Sequence, residues 1–307
     1  MIDPSRLQVL RAVELHGSVS EAARVMHLTP SAVSQQIKIL ATDIGSPLLE
    51  RDGRTVRLTA AARTLLGFAH RVTTEWERTK AELSSSETEL TGELGLCSFA
   101  TAIPALAAPV AAALTADHPA LTVTVAEADT TESLERLLHH SADVAIIVAP
   151  QNPARDDPRF QQTVLLNDPQ DLIIPAGHHL AQKQPIPLED FSRETWIEPH
   201  GDHRDLIEAS CALRGFAPRF RHRADDWNAV LALVQAGMGV CLYPRMAPMN
   251  TTGVTRVALA NPSTALRWVL ACVRAGSENQ PPVAHALRLL EQRSPHALHI
   301  SSNQHES

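Results

Sequence analysis

The run Gly17–Leu40, GSVSEAARVMHLTPSAVSQQIKIL, decides how this 307-residue chain is read. Gly17 stops a first helix, opened by Pro4 and Ser5, whose apolar face is Leu7, Leu10, Ala12, Val13 and Leu15. Ser18 or Ser20 caps a second helix with Glu21 in its first turn, and Ala22, Ala23, Val25 and Met26 are slender enough for a close crossing. His27, Leu28 and Thr29 make the turn. Thr29 caps a third helix with Pro30 at its first position, where a missing N–H costs nothing. That helix runs to about Ile44 and ends at Gly45, with Ala32, Val33, Ile37 and Leu40 as its buried stripe. Ser31, Ser34, Gln35 and Lys38 form its other face. Their short hydroxyls and amides suit a helix entering a major groove, where they reach phosphates and base edges.

Outward from that pair comes LLERDGRTVRLT, Leu48–Thr59. Strand-like Leu48–Arg51 and Thr55–Leu58 flank a turn at Asp52-Gly53, with Arg51, Arg54 and Arg57 projecting. On an arbitrary helix Ser31, Ser34 and Gln35 would be an ordinary solvated face, and Arg54 and Arg57 ordinary hairpin charges. Helix, turn, helix and basic hairpin in succession reverse that reading and give a winged helix. Residues 5–63 resemble the DNA-binding head of the LysR-type transcriptional regulators, through the spacing of Gly17, Ala22, Ala23, Leu28, Ser34, Ile37, Leu40, Gly45, Leu48, Arg51, Leu58 and Thr59. Ala41, where the family commonly has Glu, and Leu10, where an aromatic is usual, are the departures. Base edges are expected to be read by Ser31, Ser34 and Gln35. Phosphates are expected at Lys38, Arg51, Arg54, Arg57 and the helix start, Thr29 and Pro30.

Charge agrees with an anionic partner at the head. Residues 1–65 carry eight Lys/Arg against six Asp/Glu, two positive overall, which leaves nine negative on the rest of a chain of net charge −7. Hydrophobic residues at 44% and charged residues at 20% fit a globular protein and exclude collagen-like, coiled-coil-only and wholly disordered chains. The most apolar stretch, Ala102–Leu114, is too short for a bilayer and is broken by Pro104 and Pro109. Asp3, Arg6 and Arg11 interrupt any signal-peptide core, so a cytoplasmic protein without a membrane partner is expected. Cys97, Cys211, Cys241 and Cys272 are far apart and form no CxxC, which supports neither zinc nor a secreted disulfide framework. Cys97 and Cys272 could lie on neighbouring strands, which keeps a redox-responsive regulator as the alternative.

From Ala60 to about Ser85 one long helix carries Ala62, Leu65, Leu66, Ala69, Val72, Trp76, Thr79 and Leu83 near heptad spacing, a stripe that needs a partner. The resemblance makes it a dimerisation helix, so a homodimer or homotetramer is expected; packing on the chain's own body is the other option. Beyond Gly92, strands alternate with helices, which implies a parallel sheet with crossover helices. Strands are expected at Leu165–Leu166 and Asp171–Pro175, and a frayed tail from Ser294. The implied fold class is α/β: an N-terminal winged helix-turn-helix (1–58), a long linker helix (59–89) and a two-lobed, periplasmic-binding-protein-like effector domain (90–295). Lobe I takes about 90–163 and 266–295, lobe II about 164–265, and 296–307 form a flexible tail.

Ligands in such a body sit at strand carboxyl ends between the lobes. The first-strand turn supplies Ser98, Phe99 and Thr101, the next strand end Asp129 and Thr130, and the second lobe His200, Gly201 and His203. Hydroxyls and free N–H groups before a helix can hold a carboxylate, so a small anionic metabolite is the expected effector, although Ser98 and Thr101 equally suit plain helix caps. His200 and His203 lack an evident third ligand, so neither metal nor cofactor is expected. GxSxG, HExxH, GxxxxGK[ST] and a complete GxGxxG are missing, which argues against an enzyme. A solute-binding protein would fit the body but not the basic head. A regulator of this kind takes double-stranded promoter DNA, a small-molecule effector and, if it activates, RNA polymerase as partners.

Overall fold

The computed structural model describes residues 3–52, 55–84, 89–149, 157–182, 185–199, 201–249, 252–261 and 265–297. The chain divides into two compact units, Met1–Thr79 and Lys80–Ser307.

The first unit holds α1 (Pro4–His16), α2 (Val19–Val25), α3 (Pro30–Ile44), the antiparallel pair β1 (Leu49–Asp52) and β2 (Thr55–Leu58), and most of α4 (Ala60–Ser84). Each helix start is fixed by a side-chain oxygen. Ser5 N–H donates to Asp3 at 2.9 Å, Glu21 N–H to Ser18 at 3.1 Å and Ala32 N–H to Thr29 at 3.2 Å. The core joins Val9, Leu10 and Val13 of α1, Ala22 and Ala23 of α2, and Val33, Ile37 and Leu40 of α3 to Leu48 and to Ala62, Leu65 and Leu66 of α4. Burying each large side chain stabilises the unit by about 1.5–3 kcal/mol. Val9 replaces the expected Leu15 in that core, and Leu15 is half-buried. Thr59 Oγ1 donates to Pro47 O at 2.7 Å and accepts from Ala62 N–H at 3.1 Å, which joins the end of the wing to the start of α4. Farther along, Arg11 donates to Thr73 Oγ1 at 3.0 Å, and His70 lies 3.3 Å from Glu14.

The second unit is a two-lobed α/β body. Lobe I begins with β3 (Gly92–Ser98), a π-helical turn (Ile103–Ala107) leading into α5 (Ala108–Asp117), β4 (Leu121–Glu127), α6 (Thr130–Leu138) and β5 (Val144–Ala149). The chain then enters β6 (Phe160–Pro175). Lobe II adds β7 (Thr195–Glu198), α7 (Asp202–Ala212), β8 (Arg219–Arg223), α8 (Trp227–Gln235), β9 (Cys241–Pro244) and β10 (Val254–Val257). The path returns through β11 (Leu266–Arg274) and α9 (Pro281–Ala297). In lobe I, β4, β3 and β5 are parallel neighbours, β11 runs antiparallel beside β5, and the first half of β6 pairs antiparallel with the far edge of β11. The second half of β6 pairs β9 and β10, and β7 pairs β8 in parallel. Leu94, Leu96, Leu106, Val110, Leu114 and Val269 centre one core; Ile173, Phe191, Trp196, Ile197, Val230 and Leu242 centre the other.

Gly239 shows how tightly lobe II closes. A Cβ there would stand 2.7 Å from Thr195 O, at the bridge between Trp196 and Val240 that joins β7 to the start of β9.

Four expectations change. The two short strands at Leu165–Leu166 and Asp171–Pro175 are one continuous strand, β6, that serves both lobes. Asp168 and Pro169 do not break it, because they pair with Arg267 and Leu266 of β11. The closing helix continues past Ser294 to Ala297, with both of those residues buried. Pro295 has no N–H for Glu291 O, and the Ser294 hydroxyl donates to that carbonyl at 2.9 Å. Cys97 and Cys272 are not on neighbouring strands: Ala145 of β5 pairs with both and so separates them by two strand spacings, roughly 10 Å. The helix after β3 opens with the wider turn at Ile103–Ala107, and no side chain caps it.

Candidate functional site

The head presents the polar face expected of α3. Ser31, Gln35 and Lys38 are exposed, Ser34 is half-buried, and Thr29 and Pro30 sit exposed at the helix start. Thr29 Oγ1, besides capping Ala32, lies 2.9 Å from Ser31 Oγ. In the wing, Arg57 is exposed on β2 with Nη2 2.7 Å from Glu50 Oε1, and Arg51 stands on β1 opposite Val56. Arg54 and His200 lie outside the described residues.

In the body, a cavity of about 630 Å³ opens where strand ends and helix starts of both lobes converge. Lobe I contributes Phe99, Ala100 and Thr101 after β3, the segment Glu127–Glu132 after β4, and Val148. Lobe II contributes Gly201, His203 and Leu206 of the α7 start, and Asp225, Asp226 and Trp227 of the α8 start. Arg267 of β11 completes the lining. Phe99, Thr101, Asp129, Thr130, Gly201 and His203 are therefore brought together as the sequence leads one to expect. Ser98 is not: it is fully buried, does not line the cavity, and its hydroxyl donates to Phe99 O at 3.3 Å. Alternation along β3 puts it on the same face as Leu94 and Leu96, which pack the lobe I core.

Arg267 organises the floor. Its Nε donates to Asp168 Oδ2 at 2.9 Å and its Nη2 to Thr101 Oγ1 at 2.8 Å, and the guanidinium lies 4.8 Å from the Phe99 ring centre. Asp168 Oδ1 also accepts from Met246 N–H at 3.0 Å. Burial pushes the Asp168 carboxyl above the usual carboxylate range, and the Arg267 charge and the Met246 amide work against that push. Thr101 is thus a partner of Arg267 and not a helix cap. Thr130 Oγ1 sits between Val148 O and Val148 N at 3.2 and 3.3 Å, so it ties α6 to β5.

His203 is buried, and its Nε2 lies 2.9 Å from Leu242 O. Burial, followed by the Arg267 charge, lowers its pKa to about 3, against the opposing Leu242 bond. The ring is therefore neutral. A carbonyl oxygen only accepts, so Nε2 carries the proton and Nδ1 is a bare acceptor. That Nδ1 is buried and has no hydrogen-bond partner. Gly201 precedes α7 at φ 53°, a region that side chains rarely adopt, and the turn brings His203 to the cavity. Asp129 and Asp226 cap α6 and α8 through Oδ1 alone: Glu132 N–H donates to the first at 2.8 Å, and Asn228 and Ala229 N–H to the second at 2.9 and 3.1 Å.

A cluster of metal-ligating residue types outside the cavity, His178, His179 and Glu194, has its ligand atoms within 4.8 Å of one another. His178 Nδ1 accepts from Leu180 N–H at 3.3 Å, which leaves the ring proton on Nε2, 3.5 Å from Glu194 Oε1. That is an imidazole–carboxylate contact.

Residues 4–63 match the family profile described as "Bacterial regulatory helix-turn-helix protein, lysR family", and residues 87–295 match "LysR substrate binding domain". The HTH-type transcriptional activator IlvY of Salmonella typhimurium is 33% identical over 234 residues, 75% of this chain and 78% of that protein. The chain belongs to the LysR family. As a LysR-type transcriptional regulator it also resembles AlsR of Bacillus subtilis, 26% identical over 91% of each chain. Full-length LysR-type structures share its fold. A Corynebacterium glutamicum OxyR mutant superposes with a TM-score of 0.61 at 21% identity, covering 99% of this chain and 95% of that one. CbnR in complex with its target DNA superposes at 0.56 and 21% identity, covering 95% and 99%. Among the described residues no helix is long and apolar enough to cross a membrane.

The LysR head is legible residue by residue. Sequence reasoning misses Arg267, Trp227, Glu127, Asp225 and Asp226 as cavity residues. Arg267 reads as one more residue of a strand, and Asp226 reads as a helix cap, which it also is.

Proposed function

We propose that this LysR-type regulator binds double-stranded promoter DNA as a homodimer or homotetramer and is switched by a small molecule held between the lobes of its body. The observation that carries the reading is α3, whose capped N-terminus and polar face stand clear of the core beside an antiparallel basic wing. Ser31, Ser34 and Gln35 read base edges in the major groove, and Thr29, Pro30 and Lys38 lie along the adjoining phosphates. Arg51, Arg54 and Arg57 of the wing take phosphates as well. CbnR, which shares the fold, has been crystallised with its target DNA, and that supports the assignment.

The effector occupies the cavity and touches Phe99, Thr101, Asp129, Thr130, Gly201 and His203, and Arg267 holds the floor in place. The two lobes meet there and β6 runs through both, so a ligand that favours one lobe arrangement shifts the population of the other. RNA polymerase is a further partner if the protein activates. The protein works in the cytoplasm, where the chromosome is, without cofactor or catalysis. Among the lining hydroxyls, that of Thr101 is engaged by Arg267 and that of Thr130 by Val148, and the neutral His203 is held by Leu242. The thiols themselves do not favour the redox alternative: all four are buried, and burial raises their pKa values, that of Cys211 to about 12.

Nuclease footprinting on the DNA flanking the protein's own gene tests the reading. Protection of two half-sites, with a pattern altered when a cavity ligand is added, is expected. Protection that spreads evenly along the fragment contradicts it.

A further inference from the structure

We infer that Arg267 reads the effector directly: its Nη1 donates to an oxygen of the ligand, in a carboxylate or a carbonyl, and the contact bears on the residue where one lobe passes into the other. The inference rests on the cavity being the effector site and names the group that registers its contents. Arg267 is 5% exposed and lines the cavity. Its Nε and Nη2 are spent on Asp168 and Thr101, and the Phe99 ring lies against the guanidinium. Nη1 has no hydrogen-bond partner among the described residues, yet it is not sealed in: it keeps accessible surface, and in so buried a lining residue that surface opens on the cavity. A guanidinium only donates, so an acceptor completes it. Asp168, Thr101 and Phe99 fix its plane, so the donor is aimed before a ligand arrives and little freedom is lost on binding. A protonated amine has no lone pair to offer it. Asp168 already offsets the charge, so an uncharged carbonyl serves as well as a carboxylate. Phe99, Leu206 and Trp227 supply an apolar wall for the rest of the ligand.

What Arg267 holds lies at the crossover between the lobes. Asp168 and Pro169 are the last residues of β6 to pair with β11, and from Gln170 onward the strand pairs with β9. Asp168 Oδ1 accepts from Met246 N–H, and Arg245 N–H donates to Pro169 O at 3.0 Å, which pins the turn after β9 to the crossover. Met246 follows a strand of lobe II but packs its side chain into the core of lobe I, whereas its neighbour Ala247 belongs to the core of lobe II. One carboxylate therefore joins the guanidinium that meets the ligand to the turn that seats one lobe on the other. A ligand oxygen on Nη1 adds a bond only in the lobe arrangement that presents this group to the cavity. That is the differential contact a population shift requires.

The test uses the full chain and three probes that share a benzene ring: benzoate, benzamide and benzylamine. Thermal unfolding and titration calorimetry read binding, and hydrogen–deuterium exchange reads its place. Millimolar benzoate, benzamide or both are expected to raise the melting temperature, the first marking a carboxylate and the second an uncharged carbonyl. Benzylamine, which brings no acceptor, is expected to leave it unchanged. Arg267→Lys keeps a cation beside Asp168 but loses the fork, and the affinity of the oxygen probes is expected to fall about tenfold, as for loss of a charge-assisted contact. In the wild type, a bound oxygen probe is expected to slow exchange at residues 245–249 as well as at 99–101 and 225–227, a readout that stands even where Arg267→Lys fails to fold. Binding of benzylamine in preference to the other two overturns the inference, as does equal affinity of the oxygen probes for Arg267→Lys, or silence from all three. Protection of 99–101 and 225–227 with 245–249 unchanged also overturns it, and leaves the cavity as the effector site. Binding that protects none of these segments would remove the cavity reading too.

Discussion

Arg267 is the residue on which most of the body's site depends. Its partner Asp168 is fully buried, so truncating the arginine strands a charge in the interior. Arg267→Met is expected to cost about 3–5 kcal/mol in urea unfolding, and to deprive Thr101 Oγ1 of the guanidinium donor that holds it. Replacing both partners by apolar residues should recover part of that loss, because neither charge is then left alone. His203 gives a pH signature. Its folded pKa, about 3, lies below the unfolded value near 6.5, so the unfolded chain binds the extra proton. Its contribution is complete above about pH 6.5 and is lost progressively as pH falls from there toward 3; a His203→Gln variant should show a flatter stability profile over that window. Legibility at this scale depends on sequence distance. Ser31, Gln35 and Lys38 announce themselves because one helix holds them all. Arg267 and Thr101 are 166 positions apart and meet only when β11 returns to lobe I. Ser98 invites over-reading because its neighbours Phe99 and Thr101 do line the cavity, while strand alternation turns Ser98 away.

At the scale of elements, α4 shows what periodicity does and does not say. The stripe from Ala62 to Leu83 reads as one face that needs cover. Its first half, Ala62, Leu65, Leu66 and Ala69, is buried, and its first three residues serve the core of the head. Beyond it Val72, Trp76 and Leu83 are 50%, 58% and 70% exposed, and Phe68, one turn before Val72, is 41% exposed. Spacing cannot tell these halves apart, because both repeat at the same interval and only the three-dimensional neighbours differ. Four large apolar side chains on one exposed helix are a surface that a second copy covers. The double change Val72→Glu, Trp76→Glu is expected to convert the oligomer to monomer in sedimentation velocity with little change in the melting of the head. A retained dimer would place the interface elsewhere. Strand β6 carries the complementary lesson. Asn167, Asp168 and Pro169 have turn chemistry, yet they lie inside one strand because Arg267 pairs with Asp168 from the facing strand. Long-range pairing overrides a local signal.

For the whole molecule, charge is divided by function. The head is positive by two and the rest negative by nine. DNA affinity should therefore fall steeply as salt rises, and Arg57→Ala should weaken binding to all sequences alike and lower the salt slope by about one. Gln35→Ala should instead cost about 1–3 kcal/mol on the preferred site and little on unrelated DNA. The two-unit design is readable from the contrast between the capped helices of residues 4–44 and the strand–helix alternation after Gly92. The sign of the cavity is not readable, since its acids come from separate loops and helix starts that only the fold gathers. The most direct measurement is fluorescence anisotropy of a labelled duplex from the region upstream of the gene, at low and moderate salt, with the wild type and Gln35→Ala in parallel. Tight, competitor-resistant binding by the wild type is expected, which Gln35→Ala reduces toward the level seen on unrelated DNA. Equal affinity of the wild type for the upstream duplex and a scrambled one at low salt would contradict promoter recognition by α3.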